Sequence, residues 1–416
     1  MFLTLFLLVI LLILYHQIRS FRYFSSRSVP GPHTSLFFGN LRQLWNCQSI
    51  SRQLQLWTNK FGPIYGLYEG ARQRVWIVSD VKFLEDVFIK QYSHFTSRKP
   101  IAIFLNPNEK YPSLLNAKTE KWKRQRKVMN TIFSTIKLKD LFPYMNSCVT
   151  HFLFKLSTTG SSDINIYTFY KRLTFDIICS CCYGLDTSSE EYYQKVEEIF
   201  AIDVTQSLWV KLTCLLGSTS FLSQLIEKLY RSQDDFKRFL NGKQNFFQFG
   251  EFPRYWIREK VREIVDLGIK SRDDDEKIDL VHLLLKATDK NFTQCCTKHS
   301  SFTLRLLPLI FLDDIVQADV YSLHYSLDLW GPTDPDVFYP DRHITQKSQS
   351  AFLGFGLGPR QCIGMRFAMS IIKLTLIRLL KKYTVVHSNK LEENWCLQDK
   401  RVITPQSCWI RLEARQ

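Results

Sequence analysis

Apolar positions along this chain fall into three kinds of run. The first is continuous: Phe2 to Tyr15 are apolar apart from Thr4, and Ile18 extends the run past His16 and Gln17. That is a little short of the roughly 20 residues that cross a bilayer, and within range if flanking side chains snorkel. The second kind recurs with helical period. It covers 53–60, broken by Phe61-Gly62-Pro63, and then 117–156, 164–184, 190–208, 221–241 and 252–270. A charged break at Arg272–Lys277 follows, and Leu280 to Leu285 resumes a helix. The third kind is short: Ile64–Tyr68 and Arg74–Val78 read as two strands joined at Glu69-Gly70. Ser79 or Asp80 then caps a helix with Glu85 and Asp86 in its early turns. No internal repeat and no clean linker is visible. The pattern predicts a mainly α fold with a small β region, as one body over 35–416. An N-terminal membrane anchor at 1–18 and a basic, proline-rich hinge at 19–34 precede it.

Charge orients the anchor. No cleavage site follows the apolar run, which argues against a cleaved signal peptide, and a buried N-terminal helix is the alternative. Arg19, Arg22 and Arg27 come next, with no acidic residue until Glu69. The positive-inside tendency then places the body on the cytoplasmic side. Val29-Pro30-Gly31-Pro32 is a short, stiff, non-helical turn that would hold that body in one orientation.

Composition narrows the class. Hydrophobic residues make up 45% of 416 and aromatics 14%, which excludes a disordered or fibrous chain. The 32 phenylalanines suit a core that accommodates something large and apolar. A formal charge of +16 favours a polyanionic or membrane surface or an acidic protein partner, without choosing between them. Of the 11 cysteines, Cys179, Cys181 and Cys182 lie in an apolar helical stretch without a second ligand pair. They read as buried core thiols rather than zinc ligands.

Two segments carry chemistry. Lys118 to Lys127 holds six basic residues against Glu120 alone, and such a run is usually a solvated helix face. Within it, Trp122 and Arg126 are four apart and share a face, where an indole donor and a guanidinium can grip a carboxylate. The second segment is Phe352-Leu353-Gly354-Phe355-Gly356-Leu357-Gly358-Pro359-Arg360-Gln361-Cys362-Ile363-Gly364, followed by an amphipathic helix through Tyr383. Three glycines let the backbone fold tightly beneath a flat ligand. A cysteine at a helix start has a favoured thiolate and backbone N–H donors. Arg360 stands two residues before it, placed to add positive charge near an anionic group. The loop lacks the Gly-Lys-Ser/Thr ending of a phosphate cradle.

This loop resembles the haem-binding signature of the cytochrome P450 family, Phe-x-x-Gly-x-Arg-x-Cys-x-Gly, matched at Phe355, Gly358, Arg360, Cys362 and Gly364. Trp122 and Arg126 are similar to the family's helix pair that holds a haem propionate. Phe338 to His343 resembles its Pro-Glu-Arg-Phe segment, with Arg342 in the arginine position, and Ile363 to Lys381 resembles the long proximal helix of animal CYP3-like members. The resemblance runs from 28 to about 289 and again from about 301. It implies haem b with Cys362 as the axial iron ligand, and oxidation of an apolar small molecule with O2. Electrons would come from an NADPH-dependent cytochrome P450 reductase, or cytochrome b5, meeting the basic face. Membrane lipid is an implied partner, nucleic acid is not, and the implied location is the endoplasmic reticulum membrane with the body facing the cytoplasm.

Against the family pattern, the region 287–316 is divergent or deleted. No Ala-Gly-x-Asp/Glu-Thr motif occurs in the chain, so the distal helix (the I helix) is missing and no distal catalytic residue is identifiable. In Thr303-Leu304-Arg305-Leu306-Leu307-Pro308 the family's glutamate position is Phe302. Its loss would leave Arg305 and Arg342 as unpaired like charges in a buried region. A non-catalytic remnant, or a gene model lacking an exon, is therefore the alternative to an enzyme. An ordinary membrane-tethered helical scaffold is a third reading.

Overall fold

The computed structural model describes residues 2–70, 73–99, 113–159, 163–185, 190–201, 208–216, 314–344, 348–391, 397–399 and 402–415, with isolated positions between 225 and 266. The predicted helices at 221–241, 252–270 and 280–285, together with Phe302 and Arg305, lie outside the described residues apart from those isolated positions. The helices begin with α1 (Phe2–Phe21), α2 (Leu41–Asn46), α3 (Ile50–Phe61), α4 (Val81–Glu85), α5 (Thr119–Ile132) and α6 (Thr135–Asp140). They continue with α7 (Phe142–Thr158), α8 (Ile166–Tyr183), α9 (Glu190–Ala201), α10 (Leu208–Leu216), α11 (Val320–His324), α12 (Leu327–Trp330) and α13 (Met365–Lys382). The strands are β1 (Ile64–Glu69), β2 (Gln73–Val78), β3 (Ile164–Asn165), β4 (Ile315–Ala318), β5 (Tyr383–Val386), β6 (Leu397–Asp399), β7 (Ile403–Pro405) and β8 (Trp409–Ala414).

The chain divides into two compact units. The first takes Met1–Thr119, Val204–Phe236 and Lys298–Gln361, and the second takes Glu120–Asp203, Lys237–Thr297 and Cys362–Gln416. One boundary falls in the first turn of α5 and another inside the cysteine loop. Neither carries a linker composition, so no sequence signal marks them.

The first unit is built on a three-stranded sheet of order β1-β2-β4. β1 and β2 pair antiparallel with Ile64 opposite Val78, while β4 runs parallel to β2 with Ile315 opposite Val75. Phe24 seats on one face, with ring centroids 5.0 Å from Tyr68 and 5.2 Å from Trp76. A Cβ on Gly66 would lie 2.4 Å from that ring, so the bare glycine makes its seat. The proline-rich segment is tied down rather than free: Pro30 O accepts from Gly66 N at 2.9 Å. Asp80 caps α4 as expected, its carboxylate accepting from Phe83 N at 2.7 Å.

Buried at the sheet edge is Asp314. Its carboxylate accepts from Tyr23 Oη at 2.6 Å and Trp76 Nε1 at 3.1 Å, and Arg74 Nε stands 2.6 Å away. Burial and the neighbouring carboxylate push the Tyr23 phenol up to about 12.

In the second unit α7, α8 and α13 share a core in which Leu141, Met145, Val149, Ile177 and Cys181 are fully buried. The sheet β3-β8-β5 closes one side. The predicted helix over 117–156 is three helices. Ser134 starts a new one, and Pro143, in the first turn of α7, forces the next start because its ring cannot continue α6. Ile164 and Asn165 are strand rather than helix, because they pair with Ile410 and Trp409 of β8. The predicted helix over 190–208 ends at Ala201, and Leu208 opens α10. Tyr383 leaves α13 in extended conformation to start β5.

Candidate functional site

The cysteine loop is built mostly by its own backbone. Leu353 is buried, its N–H donates to His324 Nε2 at 2.9 Å, and the Phe352 ring stacks on the His324 imidazole at 5.3 Å. Burial, helped by the nearby His343, holds the His324 pKa below the ordinary imidazole value. Gly356 N returns to Leu353 O and Gln361 N to Gly358 O, each at 2.9 Å, which closes two successive tight turns.

Both turns demand glycine. Gly356 and Gly358 have φ of +79° and +73°, and a Cβ on Gly358 would stand 2.1 Å from Phe88 O. The loop is thus pressed against the turn that follows α4, a contact with no signature in the sequence. Phe355 is half-buried. Arg360 fixes the end of the unit: its Nη2 donates to Ala117 O at 2.8 Å, and its own carbonyl accepts from Arg98 Nη2 at 2.9 Å.

Cys362 belongs to the second unit and is exposed. Gly364 N-caps α13 with no side-chain bond, and Gly364 O accepts from Ala368 N at 2.9 Å. The nearest neighbour of a Cβ on Gly364 would be Phe133 at 3.9 Å, and its φ is −85°. Nothing in the described protein requires glycine at 364, so the open space there suits a group lying close over the cysteine. Phe133, just past the end of α5, packs edge-on against Phe367 of α13 at 6.2 Å. That contact fixes α5 against the helix that follows the cysteine.

On α5 Trp122 is buried and Arg126 half-buried, while Lys121, Lys123, Arg124 and Lys127 are exposed, as is Lys118 just before it. Phe355, Gly358 and Arg360 lie in the first unit, whereas Trp122, Arg126, Cys362 and Gly364 lie in the second.

Arg342 departs from its expectation. It is not an unpaired cation in a buried region: it is partly exposed, and its guanidinium donates to the carbonyls of Val337 at 2.6 Å, Asp334 at 2.9 Å and Tyr339 at 3.1 Å. Backbone oxygens take over as acceptors because residues 334–339 turn around the side chain. In α8 burial raises Cys179 to about 11 and Cys181 to about 12, whereas Cys182 is half-buried.

The sequence profile of the Cytochrome P450 family matches residues 29–305 and 308–407. The chain belongs to the cytochrome P450 family. Cytochrome P450 CYP13A2 of Caenorhabditis elegans is 26% identical over 94% of this chain and 95% of its own length. Cytochrome P450 3A31 of Mesocricetus auratus is 23% identical over 96% of this chain and 94% of its own. The alignment to the worm P450 runs over 493 positions while using 94% of 416 residues, so roughly a hundred positions of that relative have no counterpart here. The profile match breaks at 306–307 and passes through 289–301, later than the break expected from the sequence.

P450 proteins bind haem b and are monooxygenases, with apolar substrates and a redox partner as electron source. The cysteine loop fits that group in two ways: an exposed thiol at a helix start, and a glycine beside it that the protein does not otherwise need.

Proposed function

We propose that this chain is a haem-thiolate monooxygenase that oxidises an apolar small molecule of lipid, steroid or xenobiotic type. Cys362 is the iron ligand in this reading, and the haem supplies oxygen activation when bound. Trp122 and Arg126 hold a propionate. The exposed lysines at 121, 123 and 127 meet an acidic flavoprotein reductase, or cytochrome b5. The observation that carries the reading is the exposed Cys362 after two glycine-dependent turns.

The same proposal places the protein at the endoplasmic reticulum membrane, body toward the cytoplasm. Leu5, Leu7, Leu8, Leu11, Leu12 and Tyr15 of α1 are all exposed, and Arg19 stands in its last turn. Among the described residues no helix is long and apolar enough to cross a membrane. The exposed leucines of α1 are the support for its seating in lipid.

A second reading, a haem-binding remnant without turnover, is favoured by two observations. The chain has no acid–threonine motif, and roughly a hundred positions of its relative are missing from it. The discriminating experiment supplies NADPH, a flavoprotein reductase and labelled dioxygen, with a panel of apolar molecules. Incorporation of one labelled oxygen atom into product supports the enzyme. Haem uptake with no incorporation, and all NADPH electrons lost to peroxide or water, supports the remnant.

A further inference from the structure

Away from the cysteine loop, α6, the start of α7 and the first turns of α13 line an open-sided cavity of about 520 Å³. That is the size range of small-molecule sites. Its floor is apolar: Leu138 and Met145 are buried, while Phe142 and Met369 remain exposed within it. Three cations line it, Lys139, Arg366 and Lys373, and among the described residues no carboxylate does.

The neighbouring acid is turned to another use, since Asp140 Oδ2 lies 3.5 Å from Lys137 Nζ. Arg366 is steadied by donating from Nη1 to Thr135 Oγ1 at 3.3 Å, which links α13 to α6 across the cavity. The apolar surface does not stop at the cavity. Ile372, Leu376 and Leu380 follow Met369 at three- and four-residue spacing along α13, and all are exposed. Three like charges gathered beside uncovered apolar side chains are unfavourable without a partner of opposite charge.

We infer that this cavity binds an anionic single-chain amphiphile of the free fatty acid type. The carboxylate sits among Lys139, Arg366 and Lys373, where charge-assisted hydrogen bonds from Arg366 and the lysines neutralise it. The chain lies on Leu138, Phe142 and Met369 and continues along α13. An inorganic anion leaves the apolar floor uncovered, and a neutral lipid leaves the cations unmatched, so the two halves of the site together select the amphiphile.

The test is photolabelling of the full chain with a dodecanoate carrying a diazirine on its tail, mapped by peptide mass spectrometry. Label is expected in residues 135–145 and 366–380. Lys139→Gln with Lys373→Gln is expected to lower it by about tenfold or more, since tenfold corresponds to only about 1.4 kcal/mol. Lys137→Gln, which is outside the cavity lining, leaves it unchanged, and so does Cys362→Ala, which separates this site from the haem reading. Unlabelled dodecanoate competes, whereas dodecanol and inorganic phosphate do not. No label in 135–145 and 366–380, equal labelling of the double variant there, or equal competition there by dodecanol or by phosphate overturns the inference.

Discussion

The cysteine loop at 352–364 and the aromatic cluster around Phe24 hold their shapes by opposite means. The loop closes with hydrogen bonds spanning three residues, from Gly356 to Leu353 and from Gln361 to Gly358. The cluster joins residues as far apart as Tyr23 and Asp314, and its strongest contacts are a buried carboxylate and ring faces. A local turn needs particular residues at particular φ angles, so it leaves a motif. A long-range cluster needs only shapes and charges that match after folding, so it leaves none. Damage to the loop should therefore show first in ligand binding, and damage to the cluster first in stability.

The largest stability effect is expected at Asp314. Asp314→Ala leaves Arg74 and the Tyr23 and Trp76 donors without this carboxylate, at a cost of about 3–5 kcal/mol. Because the chain has two units, the readout is amide exchange in β1 and β2 rather than one melting temperature. A loss below about 1 kcal/mol would mean that the cluster is not what holds β4 to the sheet.

Next in size is Gly358→Ala. Left-handed backbone and a Cβ driven against Phe88 O together cost about 2–4 kcal/mol. The loss should be confined to residues 86–90 and 352–362 by amide exchange, with haem uptake falling in parallel. Equal weakening throughout β1 and β2 would erase the distinction between the two regions.

The smallest effect is a pH dependence at the loop entrance. Neutral His324 accepts the Leu353 N–H, and its pKa in the folded protein is below the ordinary imidazole value. The unfolded chain therefore binds the extra proton first. His324 contributes full stability above about pH 6.5, and that contribution is lost as pH falls through the lower folded value. The slope is at most about 1.4 kcal/mol per pH unit. The protection of the Leu353 amide, its slowing relative to a free peptide at the same pH, should fall on acidification, and His324→Phe should remove that dependence. Acid-insensitive protection of the Leu353 amide in the native chain would count against it.

Much of the fold was legible where rules are local. Phe61-Gly62-Pro63 ends α3, Asp80 caps α4, and the glycine spacing announces the cysteine turn. Breaks inside the long periodic run at 117–156 were missed, because Ser134 and Pro143 interrupt a stretch whose apolar period continues through them. Among site residues, Cys362 and Arg360 were visible by motif. The partners Arg98, Ala117, Phe88 and His324 were not, because each reaches the loop from a different element. Arg342 shows the other limit. The loss of the family's acid suggested an unpaired buried charge, yet three carbonyls of its own loop serve it.

The most direct test is the carbon-monoxide difference spectrum of the reduced, haem-reconstituted chain, taken beside Cys362→Ala. The account predicts a Soret band characteristic of thiolate ligation in the native chain and its loss in the variant, with β1 and β2 amide exchange unchanged. Haem bound with identical spectra in both proteins, or no haem bound by the native chain, would contradict it.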